Sequence, residues 1–159
     1  MDTPGPGMYL ALLLLLAFSA FFSASETAAF VGQPHPHEEH GAKWQQKAQL
    51  ALDLSENYDK LLSTILIGNN IVNIGAASIG TVLFTRYYGD GGVTLSTVVM
   101  TVLVLIFGEI SPKSVAKESP ERFAMFSAPI LRVCLMVLAP VNWRFYAVEK
   151  AAVPRIQKP

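Results

Sequence analysis

Three stretches of this sequence, Met8 to Val31, Leu61 to about Tyr87 and Val93 to about Pro112, are long and apolar enough to cross a bilayer. About 20 apolar residues at about 1.5 Å of helical rise each cover a hydrocarbon core of about 30 Å. The chain is therefore predicted to be an all-α membrane protein with three transmembrane helices. Composition agrees: 52% of the 159 residues are hydrophobic and only 15% are charged, and residues 1–159 read as one membrane module. The first run is not read as a secretory signal. Asp2 and no Lys or Arg precede it, and it exceeds the apolar core of about 7–15 residues that such a leader carries. Twelve basic residues balance twelve acidic ones, which excludes the basic surface of a nucleic-acid binder. The single Cys134 excludes a disulfide framework or a cysteine metal cage.

Between the first two spans, Gly32 to Lys60 opens with Gly, Pro and His residues. From about Lys43 it shows rough helical periodicity, with Trp44, Ala48, Ala51, Leu52 and Leu54 on an apolar face. Residues 43–60 are predicted to form an amphipathic juxtamembrane helix. Tyr88-Gly89-Asp90-Gly91-Gly92 is a tight turn that makes the second and third spans an antiparallel pair. Lys43, Lys47 and Lys60 before span two, and Lys113, Lys117 and Arg122 after span three, mark the cytoplasmic side. The N-terminus is expected outside the cell membrane and the C-terminus inside. Phe123 to Val141 is long enough for a fourth crossing, but that would bury Arg132 at about 2.5 kcal/mol or more and export Arg144, Lys150, Arg155 and Lys158. Pro129 and Pro140 also interrupt it. Residues 118–152 are expected to form a non-crossing helical hairpin or surface helix.

Each span carries polar groups where lipid makes them costly. Ser23-Ala24-Ser25-Glu26-Thr27 interrupts the first and Gly68-Asn69-Asn70-Ile71-Val72-Asn73 the second, while Gly108-Glu109-Ile110-Ser111-Pro112 closes the third. Ser23 and Asn70 both lie about eight or nine residues, roughly 12–14 Å, from the predicted cytoplasmic ends, with Glu109 nominally shallower. Pro112 has no N–H to offer the Gly108 carbonyl, which is left free one residue before a carboxylate. A carbonyl, a carboxylate, amide oxygens and hydroxyls facing one cavity suit a hard cation such as Mg²⁺, which takes oxygen ligands in near-octahedral geometry. The same Ser and Asn residues can equally do no more than hydrogen-bond neighbouring helices, at about 0.6–2 kcal/mol each. Glu109 fits that reading less well, since an ionisable group in a span must be paired, protonated or bound to something. Glu26 can reach the headgroups instead.

His35, His37 and His40 with Glu38 and Glu39 read as a solvated loop tip rather than a metal site. Ser19, Ser23, Gly75 and Gly80 are small residues that permit close helix packing or dimerisation. Lys113 and Lys117 read as topology anchors, and Tyr87, Tyr88, Trp143 and Tyr146 as interfacial aromatics.

Three motifs, Phe21-Phe22-Ser23-Ala24-Ser25-Glu26-Thr27-Ala28, Leu62-Ser63-Thr64-Ile65-Leu66-Ile67-Gly68-Asn69-Asn70-Ile71-Val72-Asn73 and Phe107-Gly108-Glu109-Ile110-Ser111-Pro112-Lys113, occur in an order and spacing that resemble the transmembrane domain of the CorC and cyclin M (CNNM) family, associated with Mg²⁺ efflux. The resemblance implies a homodimer in the lipid bilayer, with three crossing helices per protomer, a belt of juxtamembrane helices and alternating access to a central cation site. It implies metal ligation by Ser23, Ser25, Asn69, Asn70, Asn73, Gly108 and Glu109, with Mg²⁺ as the transported ion and Na⁺ as a coupling ion. It also implies a cytosolic pair of nucleotide-binding CBS modules after this domain, outside the 159 residues. The His35 to His40 segment has no counterpart in the resemblance.

The expected activity is Mg²⁺ transport or export. A Mg²⁺-sensing membrane anchor that does not transport is the alternative, because it needs the same ligands. No enzyme activity is expected: an intramembrane hydrolase built on Ser23 or Ser25 with Glu26 lacks a His or Lys within the spans to serve as general base.

Overall fold

The computed structural model describes residues 5–31 and 42–152, with side chains at 5–29 and 44–140. The His35, His37, Glu38, Glu39 and His40 group lies outside the described residues, as do Arg155, Lys158 and the side chains of Trp143, Arg144, Tyr146 and Lys150.

All regular elements among the described residues are helical: α1 (Pro6–Val31), α2 (Ala42–Glu56), α3 (Tyr58–Tyr88), α4 (Gly91–Leu103), a π-helical segment (Val104–Ile110), α5 (Ser111–Glu118) and α6 (Pro120–Ala152). Helices satisfy their own backbone, which is what hydrocarbon demands of a spanning segment. Four stretches, Pro6–Ala29, Tyr58–Tyr88, Gly91–Glu118 and Pro120–Pro140, are long and apolar enough to cross. The chain is a multi-pass membrane protein, and length and composition admit four crossings where three were expected.

The third stretch does not close at Pro112. In the π-helical segment each hydrogen bond spans one residue more than in an α-helix, and the Ser111 N–H accordingly bonds the Ile106 carbonyl. The wider turn lets the chain restart as α5 with Pro112 in its first turn, where a missing N–H costs least. Nor do residues 118–152 form a hairpin. Pro129 and Pro140 both lie inside the single 33-residue helix α6. Both are on its exposed side, so each removes one backbone donor without disturbing the packed seam. The predicted 43–60 helix is split at Asn57, beyond which Tyr58 already begins α3.

α1 is the central element, in contact with α3, the π-helical segment, α5 and α6. The Tyr9 and Tyr87 hydroxyls hydrogen-bond at 2.7 Å, fixing the start of α1 beside the end of α3, antiparallel. The α3–α4 turn depends on glycine twice. Gly89 adopts a positive φ of 61°, and a Cβ on Gly92 would strike the Phe84 backbone carbonyl. Phe22, Leu61, Ile65 and Leu131 form a core between α1, α3 and α6. A second seam joins Ala48 and Ala51 of α2 to Met125 and Ala128 of α6. Ala48, Ala51 and Leu54 of the apolar face of α2 are thus packed against protein, while Trp44 is exposed.

Candidate cation site at the π-helical break

Ser19 is fully buried where α1 passes between α3 and the π-helical segment. Its Oγ lies 3.3 Å from Asn69 Oδ1 and 3.5 Å from the Gly108 carbonyl oxygen. Asn73 Nδ2 donates to the same Asn69 Oδ1 at 3.4 Å. The reason the Gly108 carbonyl is approached by a side chain lies in the helix register. After the Ser111 N–H the next donor would come from position 112, a proline, so the π pattern leaves the carbonyl of Phe107 without a donor and the α pattern leaves that of Gly108. Glycine at 108 is required by the close approach, since a Cβ there would sit 2.5 Å from Ser19 Oγ.

Two more oxygens flank this contact. Ser23 Oγ and Asn73 Oδ1 are buried and have no hydrogen-bond partner. Side chains slant toward the N-terminus of their own helix. In antiparallel α1 and α3, Ser23 therefore leans toward Ser19 while Asn73 leans toward Asn69, from opposite sides. Glu109, next to Gly108, is half-buried, and no ion pair among the described residues engages it. The cluster is rich in acceptors: two amide oxygens, a carbonyl and two hydroxyls, with the Glu109 carboxylate one residue beyond Gly108, against two amide NH₂ groups and two hydroxyl protons. An excess of buried lone pairs favours a cation.

The sequence-predicted residues separate here. Asn69, Asn73 and Gly108 meet through Ser19, with Ser23 one turn away on the same face of α1. Ser25 is not brought to the cluster. Two residues along a helix is about 200° around it, and Ser25 instead donates to the Phe21 carbonyl at 2.7 Å. Asn70 is on the exposed side of α3 and makes none of these hydrogen bonds. Lys113 forms an ion pair with Glu26 at 3.1 Å, joining α5 to α1; the sequence reads the first as a topology anchor and the second as able to reach the headgroups. Ser19 is the residue that sequence reasoning assigned to packing alone, although its spacing of four from Ser23 places both on one face. No group of three or more His, Cys, Asp or Glu comes together among the described residues.

The described residues thus form a helical membrane domain with an oxygen-lined cluster at a proline-coupled π-turn. The chain belongs to the cyclin M transmembrane N-terminal domain family, whose model matches residues 10–157. Among its relatives, a UPF0053 protein of Haemophilus influenzae is 40% identical over 139 residues, 86% of this chain and 32% of the relative. The UPF0053 inner membrane protein YfjD of Escherichia coli is 36% identical over 132 residues, 83% of this chain and 31% of the relative. A polyamine export protein of Escherichia coli is 28% identical over 149 residues, 86% of this chain and 33% of the relative. The chain thus spans about a third of the length of these curated relatives.

Proposed function

We propose that this chain is the ion-translocating membrane domain of a Mg²⁺ transporter that exports its ion, coupled to Na⁺, and is not an enzyme. The observation that carries the reading is the pair of buried oxygens without partners, Ser23 Oγ and Asn73 Oδ1, on either side of the Ser19–Asn69–Gly108 contact. Leaving such groups unsatisfied costs about 1–3 kcal/mol each, a penalty that a bound cation removes. In an octahedron of oxygens at about 2.1 Å, neighbouring ligands are about 3.0 Å apart. The separations of 3.3 and 3.5 Å around Ser19 need to close by only a few tenths of an ångström. Glu109 supplies the neutralising charge.

Three crossings rather than four are part of the proposal. The buried residues of α6, Met125, Ser127, Ala128 and Leu131, face α2, the C-terminal half of α1 and the first turns of α3, and Arg132 shares a groove with the polar face of α2. These contacts support an α6 lying across the bundle at the cytoplasmic headgroup level. A homodimer is also part of it. Asn70 sits exposed beside Ile71 and Ile74 on the same stretch of α3, and an amide facing lipid is costly unless a second copy covers it.

The test is ion flux in proteoliposomes. Wild-type protein is expected to carry Mg²⁺ and to stop when the Na⁺ gradient is collapsed, while Glu109→Gln and Asn73→Ala lose most of the flux. Undiminished Mg²⁺ flux in both variants removes the site. A second reading, polyamine export, is favoured by the name of the 28% identical relative and by an acceptor-rich lining that also suits ammonium donors. Flux of spermidine without Mg²⁺ flux would select it.

A further inference from the structure

We propose that the groove between α2 and α6 binds the phosphate headgroup of an anionic phospholipid. It is lined by Gln46, Lys47, Gln49, Leu50 and Asp53 of α2 and by Arg132 of α6, and encloses about 630 Å³. Two cations, Lys47 and Arg132, and one carboxylate, Asp53, line it. Asp53 already accepts a hydrogen bond from Gln49 Nε2 at 2.9 Å, and no ion pair among the described residues engages Lys47 or Arg132. The groove is therefore net positive.

Arg132 is otherwise an anomaly on α6. Its neighbours Val133, Met136 and Val137 are exposed and apolar, and an arginine amid lipid-facing side chains is costly without a counter-ion. The planar guanidinium fork matches phosphate oxygens in a bidentate geometry. A phospholipid meets both surfaces: its phosphate between Arg132 and Lys47, its acyl chain along Met136 one turn further and Val133 and Val137 beside it. Free phosphate would leave the apolar strip uncovered. The proposal rests on the reading that α2 and α6 lie at the cytoplasmic headgroup level, where basic segments attract anionic lipid.

The full chain, purified in detergent and offered equal phosphatidylglycerol and phosphatidylcholine, is examined by native mass spectrometry. Wild type is expected to retain phosphatidylglycerol preferentially. Lys47→Gln and Arg132→Gln each lower that preference about fivefold, Asp53→Asn raises it, and Lys60→Gln, outside the groove, leaves it unchanged. An unchanged preference in the two cation variants overturns the site, as does full displacement of the lipid by inorganic phosphate. Should Arg132→Gln fail to fold, Lys47→Gln and Asp53→Asn, both on the exposed face of α2, decide the matter. Depth is tested apart, by labelling Gln45→Cys in a Cys134→Ser background with a membrane-impermeant maleimide. Labelling from the cytoplasmic side is expected; protection there overturns the depth reading and the lipid site with it. Labelling combined with an indifferent Lys47→Gln overturns the lipid site alone.

Discussion

The two faces of α1 carry the same residue type and treat it in opposite ways. Toward α2 and α6, Ser25 lines a small cavity of about 20 Å³ together with Ser55 and Ser127, room for about one water. All three hydroxyls turn back to carbonyls of their own helices, Phe21, Leu52 and Ala124. Toward α3 and the π-helical segment, Ser19 reaches out of its helix to Asn69 and Gly108, and Ser23 has no partner. A serine that back-bonds its own helix is already satisfied and leaves little to offer a ligand. One aimed across a helix interface, or left open, adds an oxygen to a shared site. Burial alone does not distinguish them, since Ser19, Ser23 and Ser25 are all buried.

The largest expected effect is at Glu109. Glu109→Gln should lower Mg²⁺ flux in proteoliposomes about a hundredfold, because interactions of a charged group are worth about 1.5–3 kcal/mol. Unchanged flux would take the carboxylate out of the site. Gly108→Ala comes next. The added methyl meets Ser19 Oγ at 2.5 Å, and overpacking of this kind costs about 1–3 kcal/mol, read as a lowered melting temperature. Adding Ser19→Ala should restore part of the stability and none of the flux.

The contrast between the faces is tested directly by three single substitutions. Ser19→Ala and Ser23→Ala should each lower flux about tenfold, whereas Ser25→Ala should stay within about twofold of wild type. Equal losses in all three would erase the distinction. The smallest effect belongs to Lys113→Gln, which breaks the partly exposed pair with Glu26. Thermal unfolding should register about 0–1 kcal/mol. A larger loss would mean that the pair holds α5 against α1 more firmly than solvent screening allows.

Much of this was legible in the residues. Apolar run lengths located α1, α3 and the helix that follows Gly91, though not its continuation past Pro112 to Glu118, and the glycines at 89 and 92 marked the turn. Pro112 correctly signalled a missing backbone donor near Gly108. What it did not signal is that the chain would widen into a π-turn and continue, because proline removes a donor but does not dictate how the next turn is rebuilt. Ser23 and Ser25 could have been separated by counting angles around α1, and Ser19 added to Ser23 by the same count. Arg132 argued against a fourth crossing and the prolines against one unbroken helix, yet α6 is continuous, with α2 covering one of its faces and the polar residues of α2 flanking the arginine.

The sequence by itself determined which segments are helical, where their backbone is short of donors, and that polar side chains lie within the apolar runs, because these follow from local composition and covalent geometry. Only the tertiary structure decided which of those polar groups meet. That depends on how each helix is rotated about its axis, which is set by close approaches between distant residues, Phe22 over Gly68 and Ser19 over Gly108.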